Sequence, residues 1–442
     1  MIANRAKEVE LGRFTGKRRA FRDTFGGQNP VNASEESISN LRRSFFRISL
    51  QALALGSLAV ASGQTPSALV GKALKIREGV RSARALLVSA QAQASALGAY
   101  PTTRLETGFG SRSDLQGGED LALFQPIDLF GKYRAGMASG RAQVAQAEAA
   151  LRQEELSVQQ EVLMAYAQWA SAYRNRKNAL AQLDIAGQVQ KATSKRVEAK
   201  ALPEIQLERA NLEVEKFSQV VEDRSAALET ALIKLTQVVG GELSGGSAAE
   251  PQPIQLPEMM VDAFEKVRPE LLTLASQTKS SLADAKTARL SKLPDLEFQA
   301  RRSPWNIGSE QFEIRLQLVF PLWDHGAARQ REIAAKNQVL ASQLEYEDTK
   351  KRVMTEIKSA KIQVETSARS VTSYTKLEKG ADDLLKRTRR GYELGANSLL
   401  DVLDAEKALY DVRDQLSSAQ LDSDSAVASL MAAEGLLLEA GR

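Results

Sequence analysis

The chain has 442 residues, 43% of them hydrophobic but only 5% aromatic and 26% charged, with a net charge of +4. It contains no cysteine and a single histidine, His325, which excludes a disulfide framework and a thiolate metal site and leaves almost nothing for an imidazole-based catalytic centre. Its charges are interleaved rather than clustered, which argues against nucleic acid as a partner, and Ala, Gln, Glu, Leu, Lys and Arg dominate long stretches, as in long amphipathic helices. No nucleophile–base pair or metal cluster is visible, so an enzyme is the weakest reading, and no cofactor is expected.

Residues 1–41 form a polar extension, longer than an ordinary signal n-region, as a start codon assigned too early would produce. Residues 42–61 read as a signal peptide. Arg42, Arg43 and Arg47 precede an apolar run over 48–60, and Ala59-Val60-Ala61 supplies small residues for cleavage. The Arg-Arg-x-Phe pattern also resembles a twin-arginine signal, and a cytoplasmic arm followed by a short buried helix is the competing reading. Beyond Ala61 no segment reaches the ~20 apolar residues of a membrane helix.

Residues 62–240 and 261–442 read as two repeats joined by a Gly-, Ser- and Pro-rich segment, 241–260. Pro126 and Pro321, Gly131 and Gly326, Arg134 and Arg329, Ala210 and Ala405, and Gly240 and Gly435 all stand 195 positions apart, so one unit is duplicated. Each repeat is expected to hold a helix, a β-hairpin and a helical hairpin. The β-hairpins fall at about 101–127 and 294–321, where apolar and polar residues alternate: Leu105, Thr107 and Phe109 against Arg104 and Glu106, then Phe312, Ile314, Leu316 and Leu318 against Glu313, Arg315 and Gln317. Loops over 110–119 and 302–310 separate the paired strands. An apolar face opposite a charged one suits a barrel wall, and equally a half-buried hairpin on a soluble domain.

The helical hairpins are expected at about 132–239 and 327–438. A Pro-free helix over 133–198 has a length of about 100 Å. Its Ala135, Ala138, Ala142, Ala145 and Ala149 form a heptad-like seam that lets a partner helix come close. The helix turns at Ala201-Leu202-Pro203 and returns over 204–239. In the second repeat a helix over 327–393 turns at Gly395-Ala396-Asn397, with Gly395 as a left-handed cap, and returns from Leu399 to about 438 behind a capping box at Ser398 and Asp401. Four strands cannot close a barrel, and open edges are not viable in lipid, so closure is expected from copies of the chain. Three copies give twelve strands. The expected architecture is therefore an α+β membrane protein: a trimeric 12-stranded barrel continued by an α-helical coiled-coil tunnel.

The stretch Gly391-Tyr392-Glu393-Leu394-Gly395-Ala396-Asn397-Ser398-Leu399-Leu400-Asp401-Val402-Leu403-Asp404-Ala405 closely resembles the second-hairpin signature of TolC-like outer-membrane efflux proteins. The junctions Phe320-Pro321-Leu322-Trp323-Asp324-His325-Gly326 and Gln125-Pro126-Ile127-Asp128-Leu129-Phe130-Gly131 are similar to that family's strand-to-helix turns, and the likeness extends over about residues 70–440. The resemblance implies a passive exit duct in the outer membrane with a periplasmic extension, a homotrimer that meets a periplasmic adaptor and an inner-membrane pump such as an RND-type transporter. It implies that Asp401 and Asp404 form rings of carboxylates at a closed tip, with Tyr392 a third gating candidate. It makes Ala201, Leu202, Pro203, Gly395, Ala396, Asn397 and Ser398 the adaptor-contact tips, and Pro126, Gly131, Pro321 and Gly326 the strand-to-helix junctions. It also implies a departure: the tip arginine that latches relatives is Asn397 here, and a first-hairpin acid is Gln206. Asp401 reads equally as a helix cap, and Tyr392 as an interhelix packing residue. A secreted or envelope coiled-coil scaffold shares the helices but leaves the alternating strands unexplained.

Overall fold

The computed structural model describes residues 65–98, 101–112, 115–241, 250–255, 264–302, 312–320 and 325–438, all within the compact unit Val60–Arg442. The expected signal segment, Pro321 and most of the 241–260 linker lie outside them. The first repeat runs α1 (Pro66–Ile76), α2 (Glu78–Gly98), β1 (Arg104–Arg112), β2 (Leu115–Ile127), α3 (Lys132–Glu198) and α4 (Glu204–Val239). The second runs α5 (Phe264–Val267), α6 (Pro269–Leu290), β3 (Asp295–Arg302), β4 (Phe312–Val319), α7 (Ala327–Glu393) and α8 (Leu399–Glu434). Both α3 and α7 have 67 residues, and both α4 and α8 have 36. Every one of these helix ends is displaced by the same 195 positions.

The identical lengths follow from where the backbone must turn left-handed. Gly131 (φ 78°) and Gly326 (φ 83°) cap the N-termini of α3 and α7, and Gly240 (φ 81°) and Gly435 (φ 71°) end α4 and α8. Glycine is the residue that occupies this region without a Cβ clash. At the hairpin tips Lys200 N–H bonds Val197 O while Ala201 N–H bonds Arg196 O, and Gly395 and Ala396 repeat both bonds to Tyr392 O and Gly391 O. Each is a Schellman ending, but the left-handed residue is glycine in one repeat and Lys200 (φ 58°) in the other.

Helix α8 ends at Glu434 rather than at about 438, because Gly435 turns left-handed and Leu436 N–H bonds Met431 O. The following backbone is held by α3: the Gln159 amide donates to Leu436 O at 2.7 Å and accepts from Leu438 N–H at 2.6 Å. One heptad further along α3, the buried Tyr166 hydroxyl donates to Gln252 O and accepts from Gln252 N–H, pinning the interrepeat linker the same way. A duplicated ion pair braces the short helices. Arg77 meets Glu161 at 2.7 Å and Arg268 meets Glu356 at 2.9 Å, the two glutamates again 195 positions apart.

The alanine seam of α3 lies where α2 and α6 approach. Ala135, Ala142 and Ala149 are buried, and a Cβ on Gly140 would stand 3.1 Å from the backbone of Ala94. Leu228, Leu235, Val239, Leu163 and Trp169 form the main apolar core around the middle of α3.

The two β-hairpins join into one antiparallel sheet of order β1-β2-β3-β4. Strand β2 starts at Leu115 inside the segment expected to be loop, with Gly110 opposite Gly118. Cross-strand pairing overrides the turn-like composition there. Directly opposed residues share a face, so register sorts the whole sheet. One face carries Arg104, Ala122, Phe124, Glu297, Gln299, Arg301, Glu313, Arg315 and Gln317. The other carries Leu105, Leu121, Leu123, Leu296, Phe298, Ala300, Ile314, Leu316 and Leu318, of which Ile314 and Leu316 are more than 60% exposed. The charges on that face are paired, Arg104 of β1 with Glu297 of β3 at 2.9 Å and Arg315 with Glu313 along β4 at 2.9 Å.

The unequal tips give opposite expectations for one backbone geometry. Lys200→Gly should stabilise the chain by about 1 kcal/mol and Gly395→Ala should destabilise it by about the same amount, read from thermal unfolding in detergent.

Candidate functional site

The far ends of the two helical hairpins meet around Tyr392, which is 2% exposed in a cluster of Val189, Leu385, Leu399, Val402, Ala405 and Leu409. Leu202, from the other tip, packs against this cluster. Tyrosine suits the position because its ring is apolar while its hydroxyl needs a partner once buried. That partner is Thr193 of α3, with the two hydroxyls 2.8 Å apart, and Thr193 also donates to Val189 O within its own helix.

Arg196, one turn further along α3, makes the second link. Its guanidinium donates to Tyr392 O at 2.8 Å and lies over the Tyr392 ring with its carbon 4.8 Å from the centroid. It satisfies a carbonyl at the end of α7 and adds a cation–π contact. Arg389 reaches back from α7 to the Gln188 side chain of α3. The hairpins are thus joined by three side chains from α3 (Gln188, Thr193, Arg196) and two residues of α7.

Asn397 does not cross to the other hairpin. Its amide donates to Thr388 O at 3.1 Å and folds over Gly391, where any Cβ would stand 2.5 Å from the Asn397 nitrogen. The first hairpin supplies the guanidinium instead, through Arg196. No feature of the sequence pairs Arg196 with Tyr392, because the contact breaks the 195-residue symmetry: the position answering Arg196 is Gly391.

Asp401 and Asp404 are both exposed near the start of α8. Asp401 closes the capping box: it accepts from Ser398 N–H and from the Ser398 hydroxyl, each at 2.8 Å, while its own N–H bonds Ser398 Oγ at 3.2 Å. Those bonds hold its carboxyl below the usual carboxylate range. Asp404, one turn on, has no such duty. Around them the tips present apolar side chains to solvent: Leu394 is 79% exposed, Leu400 60% and Ile205 52%. Ala201, Pro203, Gly395, Ala396 and Ser398 are exposed as well, while Leu202 and Asn397 are half-buried.

The strand-to-helix junctions lie at the other end of the long helices. Pro126 closes β2 opposite Glu297. Asp128 accepts from Lys132 N–H at 2.7 Å and from Tyr133 N–H at 3.2 Å, satisfying donors that Gly131 cannot cap. Lys132 then bonds Leu293 O and Asp295, tying the start of α3 to the foot of the second β-hairpin. His325 precedes Gly326 in a left-handed turn (φ 51°) and is exposed. Among the described residues no group of three or more His, Cys, Asp or Glu could hold a metal ion, and no helix is long and apolar enough to cross a membrane.

The sequence matches the family model described as outer membrane efflux protein over residues 69–241 and 261–436, one segment for each repeat. The chain belongs to this family. Its place is accordingly the outer membrane. It is 27% identical over 180 residues to the alkaline protease secretion protein AprF of Pseudomonas aeruginosa, covering 39% of this chain and 37% of that one. It is 27% identical over 128 residues to the outer membrane protein TolC of Vibrio cholerae, covering 29% of each. The chain therefore spans well under half the length of these relatives. The fold is similar to the crystal structure of CusC, with a TM-score of 0.69 at 19% identity over 84% of this chain and 92% of that chain. It is equally similar to VceC of Vibrio cholerae, with a TM-score of 0.69 at 19% identity over 85% and 97%.

The tip geometry makes a separable prediction. Thr193→Val and Tyr392→Phe should couple by about 1 kcal/mol in a double-mutant cycle, since each removes the same hydrogen bond. Arg196→Ala and Tyr392→Phe should add, because phenylalanine keeps both the carbonyl and the ring that Arg196 uses; chemical denaturation of the four variants measures both.

Proposed function

We propose that this chain is the passive outer-membrane exit duct of a tripartite efflux or secretion system, a homotrimer whose periplasmic hairpin tips open and close the path. The observation that carries the reading is the sheet. Four strands sort into one charged and one apolar face, end in two open edges, and stand on helices about 100 Å long. A single sheet with an exposed apolar face is unstable in water, and its edges are unstable in lipid. Three copies pairing β4 with the neighbour's β1 would remove the edges, giving twelve strands around a charged lumen. A coiled-coil scaffold would have no use for either feature.

The exposed Leu394, Leu400 and Ile205 at the tips favour a docking partner there, and a periplasmic adaptor carrying cargo from an inner-membrane pump fits that position. Relatives named for protease secretion and for pyoverdine export leave the cargo to the pump. In a threefold assembly Asp404 would stand in a ring of like carboxylates around a narrow opening, which favours bound cations. Asp401 would lie beside it while also capping α8.

Two substitutions separate these roles. Asp404→Asn should raise single-channel conductance in planar bilayers and weaken block by divalent cations, with thermal stability unchanged. Asp401→Asn should also lose about 1 kcal/mol of stability through the cap. Unchanged conductance and block in Asp404→Asn would leave the ring without a role in the path.

A further inference from the structure

Among the described residues, four of the unsatisfied buried side-chain atoms belong to two residues, Gln182 of α3 and Glu406 of α8. Glu406 of α8 is 2% exposed, and neither of its carboxylate oxygens has a hydrogen-bond partner. Gln182 of α3 is 1% exposed, and both its amide oxygen and its amide nitrogen are likewise unpartnered. Helices α3 and α8 run antiparallel where Ser171 and Ser417 put their hydroxyls 3.4 Å apart. Counting eleven residues on from Ser171 and eleven back from Ser417 brings Gln182 opposite Glu406.

The nearby cations Arg389 and Lys216 act on Glu406 through their charge but donate no hydrogen bond to it. From α7, Arg389 is taken up by Gln188 of α3. From α4, Lys216 is paired with Glu213 at 3.1 Å and lies over the Phe217 ring. From α3 comes only the neutral Gln182. A bare carboxylate in such a place loses its hydration with no hydrogen bond in return. A protonated one is matched: a carboxylic acid and a carboxamide each offer one donor and one acceptor, so Glu406 can donate to the Gln182 oxygen while its carbonyl accepts from the Gln182 nitrogen.

We propose that Gln182 and Glu406 form a proton-operated clamp, in which the protonated acid joins α3 to α8 and holds the two hairpins together, and loss of the proton releases them. This rests on the gated-duct reading of the tips. The other repeat has no counterpart: the position answering Glu406 is Asn211, exposed and bonded to Gln190 at 2.9 Å. The clamp therefore occurs once in the chain, between α3 and α8.

The direction of the effect follows from burial, which raises the Glu406 carboxyl to about 7, opposed by Arg389, with Glu213 raising it and Lys216 lowering it. In separated, hydrated hairpins the group titrates at its ordinary 4.5. The packed state therefore binds the proton more tightly. Its advantage is complete below that ordinary value and is lost as pH rises through about 7.

The test is single-channel recording of the full-length protein in planar bilayers at pH 5 and pH 8, with melting in detergent at the same two values. Wild type should open on the order of tenfold more often at pH 8 and melt at a lower temperature there. Glu406→Gln, which keeps an amide–amide pair at every pH, should be flat in both. Absence of any conductance would count against the duct while the melting series still reads the clamp. A Glu406→Gln protein with the wild-type pH response in melting, or in melting and opening, would overturn the clamp.

Discussion

The backbone groups along the outer edges of β1 and β4 have no strand partner within the chain among the described residues. In water such edges invite aggregation, and in hydrocarbon each unpaired N–H or C=O costs several kcal/mol. The rest of the molecule is organised around that constraint. Register over all four strands keeps most of the apolar side chains on one face and the paired charges on the other, so the sheet is suited to standing between lipid and water only once its edges are joined. The β2–β3 ladder, with Lys132 of α3 and Arg104 of β1 linked to Asp295 and Glu297 of β3, joins the two repeats into a single sheet. The long helices begin directly beneath it, with their first turns set by left-handed glycines, and their direction is decided at the wall.

Duplication then divides the labour. The repeats share their helix lengths and the Arg77–Glu161 and Arg268–Glu356 ion pairs. At the tips they diverge. The first hairpin contributes Thr193, Arg196 and Gln182, and the second contributes Tyr392, the Ser398–Asp401 cap and Glu406. Helix α8 packs against α7 and α3 and meets α4 through Tyr410 and Asp414, whereas α4 keeps much of its surface exposed.

Much of this was legible in the residues. The glycines and prolines at 195-residue spacing marked where the helices start and stop, because left-handed backbone and missing N–H groups are demands that few residues meet. The capping box at Ser398 was readable because it is local. The four residues after Glu434 were misread as helix, since nothing in Leu436, Leu437 and Leu438 opposes one until Gly435 has turned the chain. The start of β2 was misread because a Gly-rich strand looks like a turn until its partner is known. Of the contact between the tips only Tyr392 was legible. Arg196, Thr193 and Tyr392 meet only because two helices of equal length end at the same level, and Glu406 is buried only because α8 packs against both α3 and α7.

Closure of the sheet by neighbouring copies is most directly tested with cysteines, since the chain has none. One cysteine fixed in the middle of β4 and another stepped residue by residue along β1 should, at one register, yield a covalent three-chain species on oxidation in outer-membrane vesicles, resolved on a denaturing gel. Disulfides confined to two chains, or none at any register across properly exported protein, would contradict a wall built by three copies.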